Sequence, residues 1–147
     1  MIRILYLSQS SRGTTDLEVQ RLLTTSRRNN PDLGVTGVLI HGGGLFMQFL
    51  EGPDNNVMRL YAKITDDQRH GDCQIIHIAP TVDRVFQKWS MGLIPCDPLQ
   101  FHHITQLREQ RYESVPPKTF TASMNVFLRM LNSARPADAA PPGKSDS

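Results

Sequence analysis

The stretch GGGLFMQFLEG, residues 42–52, constrains the fold more than any other part of the chain. At the period-two alternation of a β-strand it puts Leu45, Met47 and Phe49 on one face and Phe46 and Leu50 on the other. Both faces are apolar, so each needs a cover. Gln48 falls between Phe46 and Leu50, on their face. Its amide has two donors and an accepting oxygen, and burying it unpaired costs about 1–3 kcal/mol. Gln48 therefore needs a partner, which is either a neighbouring protein group or a ligand.

The flanking sequence supplies the rest of a sheet. IRILYLSQ (2–9) is rich in β-formers and reads as the first strand. Thr15, with Glu18 three residues later, fits a capping box, and Val19, Leu22, Leu23 and Ser26 mark the inward face of a helix. Pro31 is expected to stop that helix, with Asn30 leaving the α region before it. Residues 35–51 read as a hairpin. A second helix is expected with Asp54 as its cap and an apolar stripe of Val57, Leu60, Tyr61 and Ile64. CQIIHIAP (73–80) reads as a fourth strand, and FQKWSMGLIP (86–95) contains a fifth.

The order β-α-β-β-α-β plus one strand is that of a ferredoxin-like α+β fold, an antiparallel sheet with both helices on one face. Its first and third strands are central neighbours about 4.8 Å apart. Tyr6 and Gln48 lie midway along them, so the two can meet. Residues 99–112 and 121–132 read as two further helices. Met124, Phe127, Leu128 and Leu131 form a stripe on the second, and the uncovered face with Leu45, Met47 and Phe49 is where it should pack. This divides the chain into residues 1–95, a helical extension over 96–134, and a Pro/Ala/Ser-rich tail over 135–147 expected to be disordered.

Several function classes are disfavoured. Sixteen basic against fourteen acidic residues is too balanced to imply nucleic acid or an acidic membrane. Cys73 and Cys96 are far apart and lack a CxxC pattern, against a zinc site or a disulfide. No apolar run is long enough for a signal-peptide core or a bilayer span, which points to the cytoplasm. The five histidines lack metal-ligand spacing. HGGG (41–44) has no G-x-S-x-G partner and reads as a tight turn.

What stands out is polar company on an apolar face. Tyr6, Ser26, Asn30 and Gln48 converge where the first helix meets the sheet, the usual form of a small-ligand pocket. Asn29 and Asn30 taken alone would be helix-end chemistry before a proline. Trp89 and Met91, two apart on the fifth strand, should share a face, and their plain reading is core packing.

Together these blocks resemble the BLUF family of blue-light sensors using FAD. The resemblance covers roughly residues 1–95 and rests on ILYLS with Tyr6, RRNNPDLGVTGVL with Asn30, FMQFLEG with Gln48, DDQRH after the second helix, and WSMG with Trp89 and Met91. It implies a non-covalent FAD, for which FMN or riboflavin can substitute, held between the two helices. It implies that Gln48 bonds to Tyr6 and the flavin, and that Asn30 grips the pyrimidine edge with Asn29 and Ser26 nearby. Asp67, Arg69 and His70 would lie toward the ribityl and phosphate end, and Ser8 would support the Tyr6 side. It further implies a photoswitch: Tyr6 gives an electron and its proton, Gln48 rotates or tautomerises, and a new hydrogen bond to the flavin C4 carbonyl shifts absorption to the red. Trp89 and Met91 would transmit the signal to the C-terminal helices, and through them to a homo-oligomer or a separate downstream signalling protein. Two rivals are a flavin-dependent enzyme, for which the pocket offers no general base or hydride acceptor, and a light-insensitive interaction module of the same fold.

Overall fold

A computed structural model describes residues 1–10, 15–42, 44–67, 70–87, 89–95, 98–113 and 115–133. The chain runs β1 (Ile2–Ser10), α1 (Asp16–Leu33), β2 (Thr36–Gly42), β3 (Leu45–Gly52), α2 (Asp54–Asp66), β4 (His70–Pro80), β5 (Gly92–Pro95), α3 (Pro98–Glu113) and α4 (Pro117–Ser133). The sheet order is β4-β1-β3-β2-β5. The first four strands pair antiparallel, as the ferredoxin-like reading requires, whereas β5 runs parallel to β2 and makes the sheet mixed. These directions leave the end of β4 and the start of β5 at the same end of the sheet but on opposite edges. Residues 81–91 must therefore cross the width of the fold.

The caps explain two departures from expectation. Thr15 does cap α1, its Oγ1 accepting from the Glu18 N–H at 3.2 Å. Pro31 does not end the helix, which continues to Leu33 and keeps Asn30 helical. A proline in the last turn removes only one i→i−4 bond. The turn is closed instead at Gly34 (φ 67°, ψ 27°), where the Gly34 and Val35 N–H groups return to the Pro31 and Asn30 carbonyls, a Schellman closure. Asp54 is not the cap of α2. It is the first helical residue after Pro53, and its carboxylate faces the N-terminal ammonium at 3.5 Å. A carboxylate in a first helical turn is favoured by the helix dipole.

Two apolar layers sandwich the sheet. Ile4, Tyr6, Leu39, Phe46 and Leu50 pack with Val19, Leu23 and Val57 of α1 and α2. On the other face Leu5, Leu7, Val38, Ile40, Met47 and Phe49 pack under Ile104 and Leu107 of α3 and Met124, Phe127, Leu128 and Leu131 of α4. The α4 stripe thus covers the face expected of it. The tail expected to be disordered lies outside the described residues. Among the described residues, no helix is long and apolar enough to cross a membrane.

The sheet is tightly packed at Gly37, where an added Cβ would stand 1.9 Å from the Phe49 carbonyl oxygen. That atom is fixed in a central strand and cannot give way. Gly37→Ala should lower stability by about 3 kcal/mol, at the upper end of overpacking costs, measured by urea unfolding.

Candidate functional site

Tyr6 and Gln48 are direct cross-strand partners in the β1–β3 register. Both are buried on the face covered by α1 and α2. The Tyr6 hydroxyl donates to Gln48 Oε1. The other end of the amide, Nε2, donates to Met91 Sδ at 3.1 Å. Both ends of the buried amide therefore have partners, one strong and one weak, since a thioether sulfur is a poor acceptor.

Burial dominates the electrostatics. Desolvation pushes the Tyr6 phenol well above the ordinary value of 10.0, and the charges of Cys73, Tyr61 and Asp67 push the same way. The ring is tilted against Tyr61 of α2, with centroids 5.3 Å apart. Ser8, one alternation further along β1, is buried on the same face and hydrogen-bonds the Cys73 side chain.

Above this pair, α1 and α2 part to form a cleft of about 210 Å³. Leu22, Thr25, Ser26, Asn29, Asn30 and Leu33 line it from α1, and Leu60, Lys63, Ile64 and Asp67 line it from α2 and its end. Leu33, Leu60 and Ile64 also pack on the cluster containing Tyr6, so the cleft and the pair share walls.

The expected site residues divide as follows. Asn30 is buried, and its Nδ2 donates to the Ser90 carbonyl at 3.3 Å, next to Met91. Asn29 is exposed on the cleft rim. Ser26 lines the cleft while its hydroxyl donates to Leu22 O at 3.0 Å in its own helix. Asp67 lies at the cleft end after α2, its N–H bonded to Ile64 O. His70 opens β4 opposite Ser10. Arg69 lies outside the described residues.

Trp89 and Met91 do not share a face. Trp89 packs with the far-side cluster, stacked on Phe86 at 5.4 Å, while Met91 is buried in the Tyr6 cluster. The period-two argument fails because β5 begins only at Gly92, so Trp89 and Met91 precede the strand and its alternation does not govern them. This placement puts Met91 on the Gln48 amide.

Sequence reasoning passed over Arg27, whose Nε donates to the Met91 carbonyl at 2.9 Å, and the cleft residues Thr25 and Lys63. Arg27 sits between Ser26 and Arg28 with no pattern tying it to residue 91. Only the crossing of 81–91 over the end of α1 joins them.

Comparison with known proteins bears on the same segment. A family model described as "BLUF: Sensors of blue-light using FAD" matches residues 1–92. The photoactivated adenylate cyclase subunit beta of Euglena gracilis is 39% identical over 87 residues, which is 58% of this chain and 10% of that protein. Subunit alpha of the same organism is 35% identical over 86 residues, 58% of this chain and 8% of that protein. The chain thus spans 10% or less of these relatives' length. Among solved structures, BlsA in its photo-activated state superposes with a TM-score of 0.76 at 27% identity, over 93% of this chain and 98% of BlsA. The dark state of BlrB superposes at 0.69 and 22% identity, over 90% of this chain and 95% of BlrB, a likeness of fold.

The buried phenol has a pH consequence. With its folded-state pKa raised, Tyr6 keeps a proton that the unfolded chain releases above about pH 10, so its contribution is intact below that pH and is lost as the pH climbs further. Urea unfolding between about pH 8 and 11 should therefore show wild type losing more stability at the alkaline end than Tyr6→Phe, by about 1 kcal/mol per unit of pH. Parallel curves would contradict the burial assignment.

Proposed function

Because the chain belongs to the BLUF family of blue-light sensors, which use FAD, we propose that it is a photoreceptor whose switch is the chain Tyr6–Gln48–Met91 beneath a flavin held between α1 and α2. The observation that carries this is the continuous hydrogen bonding from the Tyr6 hydroxyl through both ends of the Gln48 amide to Met91. The cleft suits a flavin. Leu22, Leu33, Leu60 and Ile64 offer apolar walls to the faces of a flat ring, while Asn29, Asn30 and Ser26 offer amides and a hydroxyl to its polar edge. Lys63 and Asp67 stand on the α2 side, toward the ribityl and phosphates, with Arg69 and His70 assigned to the same end.

Bound flavin supplies blue-light absorption and, once excited, an electron acceptor. Tyr6 is the phenol at hand. Its proton already points at Gln48 Oε1, so electron and proton can leave together without creating a buried phenolate, which desolvation forbids. Gln48 then rotates or tautomerises, and the electron and proton return to Tyr6, so the cycle leaves no net oxidation. A rotated amide exchanges donor for acceptor with no backbone movement, and the bond it gives up at Nε2 is the weak one to sulfur. Met91 feels the exchange directly, and the main chain at 90–91, held by Asn30 and Arg27, carries it into residues 86–95.

On this reading residues 1–95 are the sensor unit and 96–134 the transmitter. The chain is not itself an enzyme: it acts from the cytoplasm on a separate signalling protein or through its own oligomer. Support comes from BlsA, which this chain matches at 27% identity over 98% of its length. Leu99 and Phe101 on α3 and Val126 on α4 are large apolar side chains left exposed on the transmitter.

The purified flavoprotein should show a small reversible red shift under blue light. Tyr6→Phe and Gln48→Leu should each retain flavin and lose at least about nine-tenths of that shift in difference spectra, because each removes one member of the bonded pair. Normal photocycling in both would refute the mechanism. Phe101→Glu, on the exposed side of α3, should leave the shift intact and weaken light-dependent assembly or partner capture about tenfold, the size of a single exposed hot-spot loss. Equal assembly by light scattering in wild type and variant would remove α3 from the transmitter.

A further inference from the structure

β3 carries a second buried polar side chain, three residues beyond Gln48 and on the opposite face. Glu51 is fully buried, with 0% of its surface exposed. Both of its oxygens are used. Oε1 accepts the Phe86 N–H at 2.8 Å, and Oε2 accepts the Val85 N–H at 3.0 Å and Arg3 Nε at 2.9 Å. The Glu51 main-chain carbonyl accepts from the Arg84 guanidinium at 3.1 Å, and the same nitrogen reaches Thr36 Oγ1 at 2.9 Å. Residues 84–86 are thus fastened to the sheet by side chain and main chain of one residue.

The fastened residues begin the segment that ends at the switch. Phe86 is buried, stacks on Trp89, and accepts the Trp89 N–H at its carbonyl. Trp89 returns its own carbonyl to the Gly37 N–H at 3.0 Å. Two residues later Met91 receives the Gln48 amide. One strand therefore holds the segment at both ends, at Glu51 on one face and at Gln48 on the other. The Gln48 end rests on a weak thioether bond, and the Glu51 end on charge-assisted bonds of about twice ordinary strength.

We propose that Glu51 is the positioning residue of the switch: it fixes residues 85–86 as the pivot of the chain that leads to Met91, and so sets how readily Met91 returns to Gln48. The proposal rests on the photoreceptor reading above. The fixed pivot keeps Met91 close to the amide during the lit state, so the return is a short local motion. A loosened pivot makes Met91 search for its place.

The test uses the flavin-loaded full chain carrying Glu51→Gln, which replaces one accepting oxygen by a donor facing the N–H groups of 85–86 and Arg3. Two quantities are read after a blue pulse, at a temperature well below unfolding: the rate of dark return of the red-shifted absorbance, and acrylamide quenching of Trp89, the single tryptophan of the chain. The expected result is a dark return slowed at least about twofold, the lower end of coupling changes from residues that touch neither partner, together with an altered light-minus-dark difference in quenching. A residue of purely structural importance would lower the unfolding temperature and leave both readouts alone. Arg84→Met, which releases the same segment without touching the carboxylate, should slow the return in the same direction and answers the question if Glu51→Gln does not fold. Wild-type rates and quenching in whichever of these variants folds, or a faster return, would overturn the proposal. A wild-type flavoprotein with no red shift at all would instead remove the photoreceptor reading beneath it.

Discussion

Everything in this fold is arranged around one strand that has no free side. β3 is hydrogen-bonded to β1 on one edge and β2 on the other, and both of its faces are buried. A strand in that position has no water to satisfy a polar side chain, so each polar group it carries must be answered by protein or ligand. It carries two. Gln48 is answered by Tyr6 and Met91, and Glu51 by Arg3 and the main chain of 85–86. Two helical layers are then obligatory, one per face, which is why the C-terminal helices share a core with the sheet.

In the proposed mechanism, the balance of bond strengths around Gln48 is what lets its amide rotate. A buried phenol–amide bond lies in a low-dielectric surrounding where hydrogen bonds strengthen and unpaired groups are costly. If both ends of the amide were held this firmly, rotation would break two strong bonds. Holding one end by a sulfur lowers that cost while keeping the donor partnered. Desolvation keeps Tyr6 neutral, which in that mechanism leaves its proton available to travel with an electron.

The crossing of residues 81–91 links the two faces of the sheet. Phe86 and Trp89 belong to the layer under α3 and α4, and Met91 to the layer under α1 and α2. In the proposed mechanism, a displacement at Met91 reaches the far side along this segment rather than through the sheet itself. Close packing on both sides makes such a segment prone to discrete arrangements.

Most of the sheet was legible in the sequence because its causes are local. A run of β-formers marked β1, alternation marked the two faces of β3, glycines marked the hairpin it makes with β2, and Thr15 with Glu18 marked the start of α1. The pairing of Tyr6 with Gln48 followed from strand order once the β-α-β-β-α-β pattern was recognised. The α4 stripe needed a face, and one sheet face was uncovered. The end of α1 was misjudged because the local rule at Pro31 gave way to a closure two carbonyls long at Gly34. The direction of β5, the opposite aims of Trp89 and Met91, the reach of Arg27 to residue 91 and the clamp of Glu51 on 85–86 had no local signal. Each depends on where the segment between β4 and β5 crosses the end of the sheet, which is settled by the packing of groups 34 to 64 residues apart. The amino-acid sequence by itself thus determined the elements and the meeting of Tyr6 with Gln48, since periodicity and side-chain chemistry are properties of neighbours. Which side chain meets the far end of the Gln48 amide was decided only by the tertiary structure, because that choice belongs to the path of the chain through space.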